Sequence, residues 1–199
     1  MHVRGTPASG KTTLARLLSE FLADKKQKVV LIENWDSTIP ARKYLTKMCQ
    51  EEGYPEALGR DILTLDIVFV IDEAQQTYFN ADLWLNVIKY QSKRRVGPRF
   101  CLFSSYGNPI TGAPEYPFRT TPVVLGRDQR VSLTVSHKPS APNICLFYDE
   151  AEYEDVLRRF RKHAFKNFTL DADAQRYLFE FTNGHPGAVF SILTYIEMV

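Results

Sequence analysis

Leu14, Leu17, Leu18 and Phe21 recur at the three- and four-residue steps of one helical face and predict a helix from about Lys11 to Ala23. Val29–Ile32 is a short apolar run after a Lys-rich turn and predicts a buried strand. Ala41, Tyr44, Leu45 and Met48 mark a second helix, with Pro40 near its start and Gly53 just past its end. Ile67–Ile71 is wholly apolar and β-branched, the signature of a central parallel strand covered on both faces. Trp84, Val87 and Ile88 predict a third helix with Asn80 as its N-cap, and Phe100–Phe103 another buried strand. Val123–Leu125, Val131–Val135 and Ile144–Phe147 are further strand candidates, after a Pro- and Gly-rich loop from Tyr106 to Pro122. Strands alternating with helices imply βαβ units and a mostly parallel sheet.

Beyond Tyr148 the period changes to purely helical. Tyr153, Val156, Leu157 and Phe160 form one stripe; Ala174, Tyr177, Leu178 and Phe181 form another; a last helix starts near Pro186. The chain therefore divides into an α/β core over residues 1–148 and a small helical subdomain over 149–199.

Composition narrows the function classes. Apolar residues make up 44% and charged residues 24%, so the chain buries a core and is not a disordered tail. Twenty-five Lys and Arg against 23 Asp and Glu leave +2, too little for binding nucleic acid through bulk charge. A nucleic-acid contact at the local basic cluster Lys89, Lys93, Arg94, Arg95 and Arg99 stays open beside the reading of a solvated helix end. Cys49, Cys101 and Cys145 lie far apart, without zinc-ligand spacing and in odd number, as expected of reduced thiols in an intracellular setting, cytoplasm or nucleus. No apolar run exceeds Ile67–Ile71 in length, so no membrane span is expected, and the first residues lack the apolar stretch of a signal peptide.

Gly5-Thr6-Pro7-Ala8-Ser9-Gly10-Lys11-Thr12 matches GxxxxGK[ST] in full, at the start of the first predicted helix. At average usage such a match arises by chance in fewer than roughly one in a hundred chains of this length, so it carries weight. Successive amides curl around a polyphosphate, and the glycines let the chain take the required angles. Lys11 supplies a charge for the β- and γ-phosphates, and the Thr12 hydroxyl is suited to Mg²⁺. Only Met1–Arg4 precede Gly5, so we expect upstream chain to complete the first strand.

Ile67–Ile71 runs into Asp72-Glu73-Ala74-Gln75. A carboxylate at the C-terminal tip of a buried strand stands at the rim where open α/β sheets bind ligands. Asp72 is expected to hold the metal through water, and Glu73 to orient or deprotonate the attacking water. Ser104 or Ser105, closing the next strand, is a candidate γ-phosphate sensor, against the alternative of an ordinary turn serine. Arg94, Arg95, Arg119, Arg127 and Arg130 are candidates to stabilise transferring charge, none favoured over the rest. His2, His137, His163 and His185 show no ligand spacing. Gly184-His185-Pro186-Gly187 joins two helices and is either a plain connector or a joint over the adenine.

With these motifs together, the chain resembles P-loop ATPases of the ASCE division, within it the STAND and AAA-like groups. His2–Thr13, with Phe181–Ala188, resembles the P-loop domain of Crinkler-type effector proteins. The resemblance implies a three-layer α/β P-loop NTPase sandwich with a mostly parallel sheet, followed by a small C-terminal helical lid. It further implies ATP with Mg²⁺, nucleotide contacts over Gly5–Thr13 and at His185 and Pro186, metal held by Thr12 and Asp72, and catalysis by Lys11 and Glu73. A homo-oligomer is a further expected partner. Two other readings stay beside hydrolysis: a nucleotide-dependent switch with negligible turnover, and a small-molecule kinase using Glu33 and Asp36 on its acceptor.

Overall fold

A computed structural model describes residues 1–91, 94, 96–105, 122–133, 144–163 and 170–198. Five strands form one sheet in the order β2-β3-β4-β1-β5. They are β1 (His2–Arg4), β2 (Val29–Ile32), β3 (Val68–Ile71), β4 (Arg99–Ser104) and β5 (Arg130–Ser132). Neighbours among β1 to β4 pair in parallel. Arg4 lies opposite Ser104 and Ile71 opposite Leu102, so the C-terminal ends of β1, β3 and β4 finish at nearly one level. β4 stands between β1 and β3, and the connections from β1 and β4 leave in opposite directions, to β2 and β5. The C-terminal ends at such a point form the crevice in which α/β sheets bind ligands.

Helix α1 (Lys11–Asp24) follows β1, and α2 (Ala41–Glu51) follows β2, as the periodicity predicts. Val30, Ile32, Phe69, Ile71 and Leu102 turn to one face, where they join Tyr44, Leu45, Trp84 and Val87 in the main core. Val29, Val68 and Val70 alternate to the other face, and α1 packs on β2, β3 and β4. This two-sided burial explains why the central strands read as continuous apolar runs.

Asp82–Ile88 is a π-helix, followed by the single α turn α3 (Lys89–Gln91). Asn80 caps the segment as predicted: its Oδ1 accepts from Leu83 N at 2.9 Å. The wider turn seats the fully buried Trp84, whose indole N–H donates to Thr77 O and Oγ1 at 3.0 Å each.

Two predicted strands are absent. Val123–Leu125 buries Val123 and Leu125 and exposes Val124, a strand-like alternation in a segment that is not a strand. Ile144–Phe147 is irregular: Leu146 N donates to Leu133 O and Phe147 N to Cys145 Sγ, each at 3.3 Å. β5 ends at Ser132; positions 134 and 135 of the predicted Val131–Val135 strand lie outside the described residues, as does the loop over 106–121.

The chain forms two compact units, one of Met1–Gly5 with Lys11–Val131 and one of Thr6–Gly10 with Ser132–Val199. In the second, α4 (Glu150–His163), α5 (Ala172–Thr182) and α6 (Pro186–Met198) bury Tyr153, Leu157, Leu178, Val189 and Leu193 together. The α5 stripe only half matches expectation: Leu178 is buried, whereas Tyr177 and Phe181 are exposed and stack on each other. Among the described residues no helix is long and apolar enough to cross a membrane.

Candidate functional site

The motif residues occupy the turn from β1 into α1. Gly5 is buried and its N–H donates to Ser104 O at 3.2 Å, continuing the β1–β4 ladder by one residue. The turn is tight: Ser9 N–H donates to Thr6 O at 3.3 Å, and Ala8 and Gly10 both have left-handed φ, 56° and 93°. At Gly10 only glycine takes that angle without strain. Pro7, Ala8 and Gly10 are exposed; Ser9 is buried, and its hydroxyl has no hydrogen-bond partner among the described residues. A buried hydroxyl left without a partner in such a turn fits a ligand with several acceptor oxygens. Lys11 opens α1 and is buried; Thr12 is half-buried and Thr13 exposed. Burial lowers the Lys11 pKa, while the charges of Glu73 and Asp72 oppose that shift.

The two carboxylates end β3. Asp72 N–H donates to Ile32 O at 2.8 Å, so the β2–β3 ladder carries the residue to the sheet rim. Asp72 is 3% exposed, and its Oδ1 accepts from Glu73 N at 2.9 Å. Glu73 adopts the left-handed conformation, φ 47° and ψ 38°, which turns the chain sharply out of the strand. Strain of this kind in a non-glycine residue collects at functional sites. A hard carboxylate and a hydroxyl, Asp72 and Thr12, suit Mg²⁺, which takes one or two protein oxygens and keeps waters and phosphate oxygens for the rest. Among the described residues there is no cluster of three or more His, Cys, Asp or Glu that would hold a metal by itself.

Gln75, to which the sequence assigned no role, is a third member. Its buried amide donates from Nε2 to Glu73 Oε2, and its Oε1 accepts from Ser105 N at 3.1 Å. It thereby ties Glu73 to the end of β4. The only sequence signal was a neutral polar residue two places after the glutamate.

Ser104 is fully buried, and its hydroxyl lies 2.7 Å from His2 Nε2; the Tyr78 hydroxyl is 3.5 Å from the same nitrogen. Burial is the main reason that the His2 imidazole titrates at about 4, with Arg4 adding to the shift. The ring is therefore neutral near pH 7. Ser105 is half-buried, its N–H engaged by Gln75. Glu33 pairs with Arg16 at 2.6 Å, and Asp36 accepts from Thr38 N and Oγ1 at 2.9 and 2.6 Å, which holds its carboxyl below the usual range. Both carboxylates named for a kinase acceptor are thus occupied locally.

In the helical unit, His185 Nε2 lies 2.9 Å from Thr6 Oγ1, and its Nδ1 accepts from Ala188 N at 3.2 Å. Pro186 opens α6, and all three residues Thr6, His185 and Pro186 are half-buried. Of the basic candidates, Arg99 pairs with Asp66 at 3.1 Å, Arg94 covers the Tyr90 ring, and Arg130 donates to Gly126 O. Lys93, Arg95, Arg119 and His137 lie outside the described residues. A cavity of about 450 Å³, lined by Met1, Leu18, Val68, Arg94, Arg99 and Cys101 among others, lies toward the N-terminal ends of β3 and β4; none of Gly5–Thr13, Asp72 and Glu73 lines it.

No protein-family model matches this chain, and no curated protein matches it. Among solved structures it is similar to two variants of RuvB from Thermotoga maritima, at 14% and 13% identity with TM-scores of 0.40 and 0.42, covering 97% of this chain and 52% of each RuvB chain. It is also similar to PCH-2 of C. elegans, at 14% identity and a TM-score of 0.33, covering 99% of this chain and 59% of that one. The chain thus spans about half the length of the RuvB structures it matches.

Proposed function

We propose that this chain binds ATP with Mg²⁺ and hydrolyses it. The observation that carries the reading is the combination at one sheet rim: a complete phosphate-loop sequence between β1 and α1, a buried lysine opening the helix, and an Asp-Glu pair ending β3. The amides from Gly5 to Thr12, extending to Thr13, grip the phosphates, and the Lys11 ammonium neutralises the β- and γ-oxygens. Thr12 and Asp72 hold the metal, which when bound offsets charge on the phosphates. Glu73 accepts the proton of the water that attacks the γ-phosphorus; the bond to the β-bridging oxygen breaks and ADP leaves. His185 and Pro186 are further nucleotide contacts in this reading. Ser104 or Ser105 reports the γ-phosphate; for Ser104 this requires the hydroxyl to turn from His2. The stretches His2–Thr13 and Phe181–Ala188 support a setting within a Crinkler-like protein, with nucleotide state driving assembly of copies.

Phosphate release by the wild type beside Lys11→Ala and Glu73→Gln tests this. We expect both variants to fall by about a hundredfold or more, the usual loss on removing a catalytic acid–base or charge-stabilising group. Equal hydrolysis by all three overturns the catalytic assignment. One observation favours a second reading: Gln75 engages the Glu73 carboxylate. A switch held in that arrangement binds Mg·ATP, seen as thermal stabilisation, without turnover.

A further inference from the structure

We propose that His185 is a two-ended positioning residue that ties the conformation of the phosphate loop to the first turn of α6. The proposal rests on the reading that the loop binds a polyphosphate. Because Nδ1 accepts from Ala188 N–H, the ring proton sits on Nε2, which donates to Thr6 Oγ1. One rigid ring therefore serves as N-cap of α6 and as a hydrogen-bond donor to the loop's second residue. The Phe147 ring, edge-on at 4.9 Å, limits how far the imidazole can swing. A second contact backs the first. A Cβ on Gly187 would lie 2.4 Å from Ala8 Cβ and 2.8 Å from Ala8 O, so the second residue of α6 touches the loop backbone with no space between.

The imidazole has no torsion between its two nitrogens, so Thr6 cannot move by much over an ångström without stretching one bond or the other. Fixing the loop around a ligand fixes the ring, and a fixed ring holds the cap of α6. The effect is a coupling between loop and helix and is reciprocal. No nucleotide base is needed for it; a polyphosphate suffices.

The test is amide hydrogen exchange of the whole chain with and without Mg·ATP. The expected result is that Ala188 and Val189 exchange about fivefold more slowly with nucleotide, the weight of one ordinary hydrogen bond. Thr6→Val removes the hydroxyl and keeps the loop backbone. His185→Asn keeps a cap for α6 but is too short to reach Thr6. Each variant is measured at a nucleotide concentration that saturates it, and both should lose the slowing at Ala188 while the amides of Ser9–Lys11 remain protected. Protected loop amides with unchanged Ala188 exchange in the wild type overturn the coupling alone, as does a Thr6→Val protein that keeps the full effect. No protection of Ser9–Lys11 by Mg·ATP in the wild type overturns the nucleotide reading itself, and the coupling with it.

Discussion

His2 lies in β1 with 1% of its surface exposed, between Ser104 and Tyr78, and its imidazole titrates at about 4 against an ordinary value of 6.5, chiefly because burial penalises the cation. The unfolded chain takes up this proton near 6.5 and the folded chain only near about 4. Between those values the unfolded state binds more protons, so stability falls as pH drops through the window and levels off below it. The full shift corresponds to about 3 kcal/mol, and lowering the pH from 7 to 5 removes about 2 kcal/mol of it. Urea unfolding at both pH values, for the wild type and His2→Gln, isolates this share. The glutamine still offers an amide to Ser104 and cannot titrate, while every carboxylate contributes alike to both proteins. The difference in unfolding free energy between the two proteins should therefore change by about 2 kcal/mol over this pH range. Parallel pH profiles would refute the argument, as would an imidazole resonance that titrates near 6.5 in the folded protein.

Gly97 has φ +115°, and a Cβ there would lie 2.4 Å from Leu63 O; Gly97→Ala should cost about 2 kcal/mol or more in denaturant unfolding. Trp84→Phe leaves the buried Thr77 acceptors without the indole N–H and opens space beside Tyr78, so a loss of about 2–3 kcal/mol is expected by the same measurement. Burial pushes the Cys49 thiol up to about 12, whereas Cys145 is only half-buried; a thiol reagent at pH 8 should label Cys145 in the native protein and Cys49 only after unfolding, read by peptide mass.

The parts legible in the sequence are those that a local pattern controls. The β1–loop–α1 unit, the apolar runs of β2 and β3 and the stripe of α2 follow from periods of 2 and 3.6 and from glycine placement. The rim carboxylates could be located because a strand's last apolar residue fixes where the next side chain stands. What escaped depends on partners distant in sequence. His2 reads as an ordinary polar residue until β4 is laid beside β1, a pairing across about a hundred positions. Gln75 gains its role only when the end of β4 brings Ser105 N within reach. Val123–Leu125 alternates like a strand yet takes no strand conformation, and Tyr177 and Phe181 share a helical face with Leu178 while standing exposed. Periodicity reports which positions share a face; it does not say which face finds a lid.

The contact between Ala8 and Gly187 restricts how this chain can vary. With under 3 Å between Ala8 and any β-carbon at 187, the two positions form one steric locus, although they lie 187 − 8 = 179 positions apart in sequence. A homologue with a side chain at 187 must have rebuilt the turn after β1, and one with a bulkier fourth loop residue must have shifted the start of its last helix. Paired libraries randomised at these two codons should return correlated survivors, and independent tolerance at each would show that the packing described here is dispensable.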